Sequence, residues 1–329
     1  MSTVSHRTTL VLGAGGQDGR LLSTRLLQSG DTVLGVIRPD GDERRLVPGV
    51  RPIAVDIANG TAVAELIATT LPTQIYHMAA VHEGSEGGTN DQLGRWGAMV
   101  EVNFLSTLHV ISGVLRHCPS ATLVYAASSQ MYQTTDADLR VDEVTPRHPA
   151  NFYALTKSWS MDAIGHARRR HGLRGATAIL FNHESVLRSP TFVSRKITAA
   201  AAALARGSKD RLKLLNIGAR VDWSAAEDVV DALIRIAEHQ CRGDYVVGSG
   251  KLHSVKDLLD AAFACVGIDW RPWVDFESER PRPAVFADAT QLTQDTGWNT
   301  SIPFSQMIKQ MVDADSQPRE SRQRTTMMS

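Results

Sequence analysis

The run Gly13-Ala14-Gly15-Gly16-Gln17-Asp18-Gly19 directly follows an apolar segment, Leu10–Leu12, and precedes a stretch with helical spacing from about Arg20 to Gln28. Strand, glycine turn and helix in that order leave few folds open. Gly13 allows a tight bend, Gly16 lets the backbone approach a pyrophosphate, and Gly19 lets the helix pack close to the strand. The helix N-terminus, with Gln17 and Asp18 in it, offers free amides and a partial positive charge to phosphates. A glycine-rich turn of no special purpose is the plainer reading. The order of the three elements argues instead for a dinucleotide site.

The rest of the first half keeps the same rhythm. Strands are expected at Thr32–Ile37, Pro52–Asp56, Gln74–Met78, Thr122–Ala126 and Thr177–Phe181. Helices are expected at about Thr61–Leu71, Leu93–Leu115 and around Tyr153. Continuous apolar strands alternating with helices predict an α/β fold, a doubly wound parallel sheet covered on both faces. Beyond Phe181 the rhythm loosens, and the spacing predicts helices over Phe192–Arg206, Glu227–His239 and Val255–Ala264, with strands at Leu212–Leu215 and Asp244–Val247. The division expected is a nucleotide-binding domain over 1–181 and a smaller C-terminal α/β lobe over 182–314 that lends some elements back to the first. The polar, aperiodic residues 315–329 read as a disordered tail.

Composition mostly excludes. Lys+Arg and Asp+Glu are both 35, so no net charge argues for nucleic acid or a membrane surface. No apolar stretch reads as a membrane span, and the N-terminus lacks the apolar core of a secretory signal. Cys118, Cys241 and Cys265 are too few and too scattered for a disulfide framework or a metal motif. The expectation is a cytoplasmic protein with reduced thiols and no metal.

Tyr153 and Lys157 lie four residues apart, one helical turn, and Ser128 lies earlier, just after the strand expected at Thr122–Ala126. A cation one turn from a phenol favours the phenolate and makes it a usable base. With the Ser128 hydroxyl, the trio can take a proton from an alcohol while hydride leaves the same carbon. The second predicted strand ends in Arg38, with Arg44 and Arg45 after it. An arginine there suits the 2′-phosphate of NADP, where NAD would call for an acid; NADP is therefore expected, with NAD as the alternative. Asp56 and Ile57 are placed to meet adenine, and Ala79 and Ala80 are small enough to let the backbone pass close to the cofactor.

These motifs, with Leu180-Phe181-Asn182-His183-Glu184-Ser185, Phe192-Val193-Ser194-Arg195-Lys196-Ile197, Asp222-Trp223 and Gly297-Trp298, make the chain recognisable. It resembles the extended short-chain dehydrogenase/reductases, and within them the GDP-mannose 4,6-dehydratases, from Leu10 to about Trp298. The resemblance implies a Rossmann domain, a GDP-linked nucleotide sugar in the cleft between lobes, and a cofactor reduced and reoxidised within each turnover. It implies that Lys157 holds the nicotinamide ribose and depresses the Tyr153 pKa, and that Ser128 orients the sugar 4-hydroxyl. Ser129, Asn182, Glu184, Val193 and Lys196 would meet the substrate, and Arg280 the diphosphate, with Arg282 as the alternative. Such proteins commonly form dimers, here through the Leu93–Leu115 and Tyr153 helices, so a homodimer or homotetramer is expected.

The chain departs from that pattern at three places. Where the dehydratases carry a glutamate, this chain has Gln130, and an amide can neither remove the carbon-5 proton nor protonate the departing oxygen. Loss of a general acid–base costs about 100- to 10,000-fold. Glu83 or His82 could substitute. Val221 stands where relatives have an arginine, leaving neighbouring Arg220 as the stand-in, and Gly84–Asn90 is glycine-rich. The leading expectation is a nucleotide-sugar epimerase acting by transient oxidation at carbon 4. The alternatives are a 4,6-dehydratase using Glu83, His82 or water, and a non-catalytic NADP-binding protein.

Overall fold

The structure, a computed structural model, describes residues 7–82, 92–240 and 242–317. Glu83, the glycine-rich run 84–90 and Cys241 lie outside the described residues, as do 318–329.

The first strands are β1 (Thr8–Leu12), β2 (Thr32–Ile37), β3 (Arg51–Ala54), β4 (Gln74–His77) and β5 (Thr122–Ser128). Helices α1 (Gln17–Gln28), α2 (Gly60–Thr70), α3 (Gln92–Met99) and α4 (Ser106–His117) lie between them. Next come β6 (Leu139–Val141), α5 (Phe152–His171), β7 (Gly175–Leu180), β8 (Asn182–Glu184) and α6 (Val193–Ala205). Then follow β9 (Leu212–Asn216), β10 (Arg220–Ala225), α7 (Ala226–Glu238), β11 (Asp244–Val247), β12 (Leu252–Ser254) and α8 (Val255–Ala264). The chain ends in β13 (Val274–Ser278), β14 (Val285–Ala287), α9 (Thr290–Thr296) and α10 (Phe304–Ser316).

Seven strands form one sheet in the order β11-β7-β5-β4-β1-β2-β3, and every pairing in it is parallel. Strands β4, β5 and β7 are buried at every residue because helices cover both faces, and the polar Gln74 and His77 at the ends of β4 are buried with the rest. One face packs on α2, α4 and α5 around Ile67, Val110 and Ile164. The other packs on α1 and α7 around Leu22, Leu26 and Leu233. The winding reverses between β1 and β4, which opens a crevice at their C-terminal ends. A third core, around Ile197, Leu258, Phe263 and Met311, joins α6, α8 and α10. Beside it lie the small sheets β12-β10-β8 and β13-β9.

Strands β6, β8, β12 and β14 were not expected. Each is three residues long, and β6 finds its partner β14 more than a hundred residues away, with Leu139 opposite Val285. No local periodicity encodes such a pairing. The long helix is also interrupted: residues Val100–Leu105 between α3 and α4 form a π turn. Together the stretch Arg95–His117 is long and apolar enough to cross a membrane, with a mean hydropathy of 1.5, so the reading that no segment reaches that length is corrected. Here the stretch packs against α2 and α5 as a layer of the fold.

Where it is described, at residues 315–317, the expected tail needs correction as well. Asp315 is buried inside α10 and receives hydrogen bonds from Arg195 at 2.9 and 2.8 Å and from Thr198 Oγ1 at 2.9 Å. Arg206 donates to its carbonyl oxygen at 2.7 Å. These partners come from α6 and its C-terminal end, more than a hundred residues upstream, so only tertiary contact reveals that the segment is ordered. Replacing Asp315 by Ala would leave the Arg195 guanidinium unpaired in a buried position and should cost about 3–5 kcal/mol, read as a lowered urea midpoint with little change in slope.

Candidate active site

Three backbones meet at the switch point. Gly13 has φ +87°, and a Cβ there would lie 2.8 Å from the Ala79 nitrogen; one on Gly19 would lie 2.3 Å from the Gly13 oxygen. Glycine is therefore required where β1 turns into α1 beside the end of β4. Gly16 is the N-cap of α1 and supplies no capping side chain. The first amides of the helix are left to an anion, so this cradle fits a pyrophosphate. Ala79 and Ala80 follow β4 at the crevice. After β3, Asp56 caps its own turn by accepting from the Ala58 amide at 3.0 Å, while Ile57 packs against the core beneath. Arg38 is exposed at the end of β2, with its Nε 3.5 Å from Asp40.

Ser128, Tyr153 and Lys157 converge at the inner end of this crevice, and all three are buried. Asn151 caps α5 by accepting from the Ala154 amide at 2.8 Å, which places Tyr153 and Lys157 on the turns facing β5. The Ser128 hydroxyl accepts from the Gln130 amide at 3.3 Å and acts to lower the phenol. Lys157 Nζ donates to the Ala126 carbonyl at 2.8 Å and sits 5.8 Å from the Tyr153 ring centre. Burial pushes Tyr153 up to about 12, against the opposing effect of the Ser128 hydrogen bond. Burial also brings Lys157 down to about 7. The expectation that Lys157 depresses the phenol is therefore corrected for the protein alone: Lys157 is not among the groups that lower it, and its ammonium donates to a carbonyl.

Gln130 occupies the rim of the same site. Because the Asn151 carbonyl oxygen is held by the helix cap, its Nδ2 must donate, and it does so to Gln130 Oε1 at 3.0 Å. The Gln130 amide nitrogen then faces His82 Nε2 at 3.2 Å. An amide nitrogen only donates, so His82 Nε2 accepts and its proton rides on Nδ1. The His82 ring lies 4.6 Å from that of Tyr153. A helix cap thus sets, through two amides, the tautomer of a histidine beside the phenol.

Ser129, Gln130, Asn182, Arg220 and Val221 line a cleft of about 290 Å³ next to this group. The other residues expected at the substrate are placed differently. Arg220 is committed to Asp138, with bonds of 2.9 and 2.7 Å, so it does not present a spare cation in place of the arginine missing at Val221. Glu184 is fully buried, accepts from Ser194 Oγ at 2.6 Å and lies 3.2 Å from Arg188 Nε, so it braces α6 from behind the cleft. Val193 packs on the third core, and half-buried Lys196 is on the same helix. The exposed Arg280 lies on the loop after β13, where its carbonyl accepts from Asn216 at 3.0 Å.

Two groups essential to the geometry escaped the sequence reading. Asn103, in the π turn, accepts from the Val81 amide at 2.7 Å and donates to the Val81 carbonyl at 3.0 Å, fixing the segment that carries Ala79, Ala80 and His82. A lone buried asparagine inside an apolar helix was the available signal. The second is the pairing of Asp18 with His183. His183 Nδ1 donates to the Phe181 carbonyl at 2.7 Å and Nε2 lies 3.0 Å from Asp18. With acceptors on both sides the ring is held as an imidazolium. Burial opposes charge in both groups, yet each stabilises the other: Asp18 falls to about 2 and His183 rises above its ordinary value. Ser185 adds a bond to Gln17 at 2.9 Å, so β8 and its following turn are tied to the first turn of α1.

Comparison with known proteins agrees with this architecture. The family described as GDP-mannose 4,6 dehydratase matches residues 10–311. GDP-mannose 4,6 dehydratase 1 of Arabidopsis thaliana is 30% identical over 94% of this chain and 90% of its own length. The human GDP-mannose 4,6 dehydratase is 26% identical over 94% and 91%. Among solved structures, UDP-glucose 4-epimerase from Thermotoga maritima superposes with a TM-score of 0.81 at 16% identity, covering 93% of this chain and 97% of that one. RMD from Pseudomonas aeruginosa, complexed with NADPH, gives 0.79 at 21%, covering 94% and 99%. At these identities the two structures show the shared fold.

The Asp18–His183 pair has a pH signature. The lowered Asp18 value contributes stability that is present above 3.8 and lost as pH falls through about 2. The raised His183 value contributes below 6.5 and is lost as pH rises through its folded value. The difference in unfolding free energy between wild type and Asp18→Asn should therefore be largest between those two ordinary values and shrink on either side, measured by urea denaturation across pH.

Proposed function

The chain belongs to the GDP-mannose 4,6-dehydratase family, and from that premise we propose that it is an NAD(P)-dependent enzyme that oxidises carbon 4 of a GDP-linked hexose transiently, with net epimerisation. The observation that carries the choice is Gln130, an amide held by Asn151 on one side and His82 on the other. The group has no proton to exchange near neutral pH, whereas eliminating water across carbons 5 and 6 needs one that does.

Tyr153 takes the proton of the sugar 4-hydroxyl, and Ser128 holds that hydroxyl against the phenol. A bound oxidised nicotinamide would supply the hydride acceptor and a positive charge at the site. That charge, with protonated Lys157, works against the burial that holds Tyr153 near 12. The uncapped end of α1 would hold the cofactor pyrophosphate, and the cleft beside Asn182 would hold the nucleotide sugar. Were the transient ketone to turn in the cleft, its opposite face would take the hydride back, and Tyr153 returning its proton would leave the carbinol inverted. Exposed Trp96 and Leu108, on α3 and α4, support pairing of two copies through these helices and α5.

A second reading rests on a specific contact. His82 Nε2 is an accepting nitrogen beside Tyr153, and in a dehydratase it would serve as the acid–base that Gln130 cannot be. Product analysis separates the two. With GDP-hexoses as substrates, an inverted hydroxyl without solvent deuterium at carbon 5 is expected; a 4-keto-6-deoxy product labelled at carbon 5 would establish dehydration instead. Tyr153→Phe should lower either turnover by about 100- to 10,000-fold. Gln130→Glu should raise water elimination above the wild-type trace, and His82→Asn should leave epimerisation largely intact while abolishing any elimination.

A further inference from the structure

Helices α1 and α7 pack side by side on one face of the large sheet. Helix α1 follows β1 and α7 precedes β11 in an all-parallel sheet, so the two point the same way. Arg25 of α1 meets Asp231 of α7 at 3.3 Å. About one turn before that ion pair stand Arg20 on α1 and Glu227 on α7. A second pair of opposite charges is thus brought to one level, yet no second ion pair forms. Among the described residues, neither side chain makes an ion pair or hydrogen bond with another residue. Both instead line a cavity of about 520 Å³ between α1, α7 and α10, whose apolar wall includes Leu21, Val47, Leu187 and Val230. That volume is of the size that small-molecule sites have. The other charged groups around it are committed: Arg25 to Asp231, Arg195 to Asp315 and Asp313 to Lys309. Arg20 Nε is buried and unbonded. Burial and the charge of Arg45 make its guanidinium harder to keep protonated, and burial pushes the Glu227 carboxyl up. One uncompensated charge of each sign therefore remains in the same apolar cavity, at a cost that a counter-charge would relieve.

We propose that this cavity binds a small zwitterion with an apolar side chain, the chemistry of a free apolar α-amino acid. The ligand's carboxylate meets the Arg20 fork, its ammonium meets Glu227, and its side chain lies on Leu21 and Val230. A monoanion would leave Glu227 unpaired, and a monocation would leave Arg20 unpaired. A ligand carrying both charges relieves both. The inference goes beyond the reaction proposed above and depends on neither its cofactor nor its sugar.

The test is calorimetric titration of the full chain with L-phenylalanine and L-leucine, with melting curves confirming that each variant is folded. Saturable binding of at least one of them is expected. Phenethylamine, which lacks the carboxylate, and 3-phenylpropionate, which lacks the ammonium, should each bind about tenfold more weakly than phenylalanine or worse. Glycine, with both charges and no side chain, should be weaker by a similar factor. Arg20→Met should remove the advantage of phenylalanine over phenethylamine, and Glu227→Gln its advantage over 3-phenylpropionate. Thr24→Trp on α1 and Gln310→Trp on α10 narrow the cavity from different walls, and each should abolish binding. Absence of saturable binding of both amino acids would overturn the proposal. So would equal affinity for either singly charged analogue, affinities unchanged in both Arg20→Met and Glu227→Gln, or binding that survives both tryptophan variants.

Discussion

The close approach of backbones at the end of β1 governs everything built around it. Gly13 presses on Ala79 and Gly19 presses on Gly13, at separations that leave no space for a Cβ. The ends of β1 and β4 and the start of α1 are thereby locked together where the sheet reverses its winding. The contact determines where the uncapped amides of α1 point, and hence where a pyrophosphate lies relative to Ser128 and Tyr153. A methyl group at Gly19 would force the helix away from the strand and open the crevice that the rest of the site shares.

Buried polar pairs then connect that crevice to the C-terminal half. Asp18 and His183 join α1 to β8, Glu184 braces α6 through Ser194 and Arg188, and Arg195 and Asp315 join α6 to α10. Buried pairs of this kind contribute little net stability when complete, but each is expensive to break. Their effect here is alignment: the helix that cradles the cofactor and the elements that line the cleft cannot shift independently.

The trio of Ser128, Tyr153 and Lys157 illustrates how burial can override a local rule. A lysine one turn from a tyrosine should lower the phenol, yet in the folded protein both groups are dehydrated and the lysine is turned toward the Ala126 carbonyl. The same dehydration increases the effect of any further positive charge brought near the phenol. On the opposite side of the site, Asn151, Gln130 and His82 form an ordered chain of donors and acceptors. The histidine is therefore held in one tautomer by the asparagine side chain that caps the N-terminus of α5.

The sequence alone determined the glycine turn, the parallel sheet, the positions of most long helices, and Ser128, Tyr153 and Lys157 as partners. These follow from local spacing: period, glycine placement and a single helical turn are properties of adjacent residues. The short strands of the second half, the burial of Asp315, the withdrawal of Glu184 and Arg220 from the cleft, and the placing of Arg20 and Glu227 on one cavity were decided only by tertiary structure. Each depends on partners brought together from distant parts of the chain, Leu139 with Val285 or Arg195 with Asp315. The charge state of a buried group depends likewise on every neighbour that replaces its water, and no linear spacing records which neighbours those are.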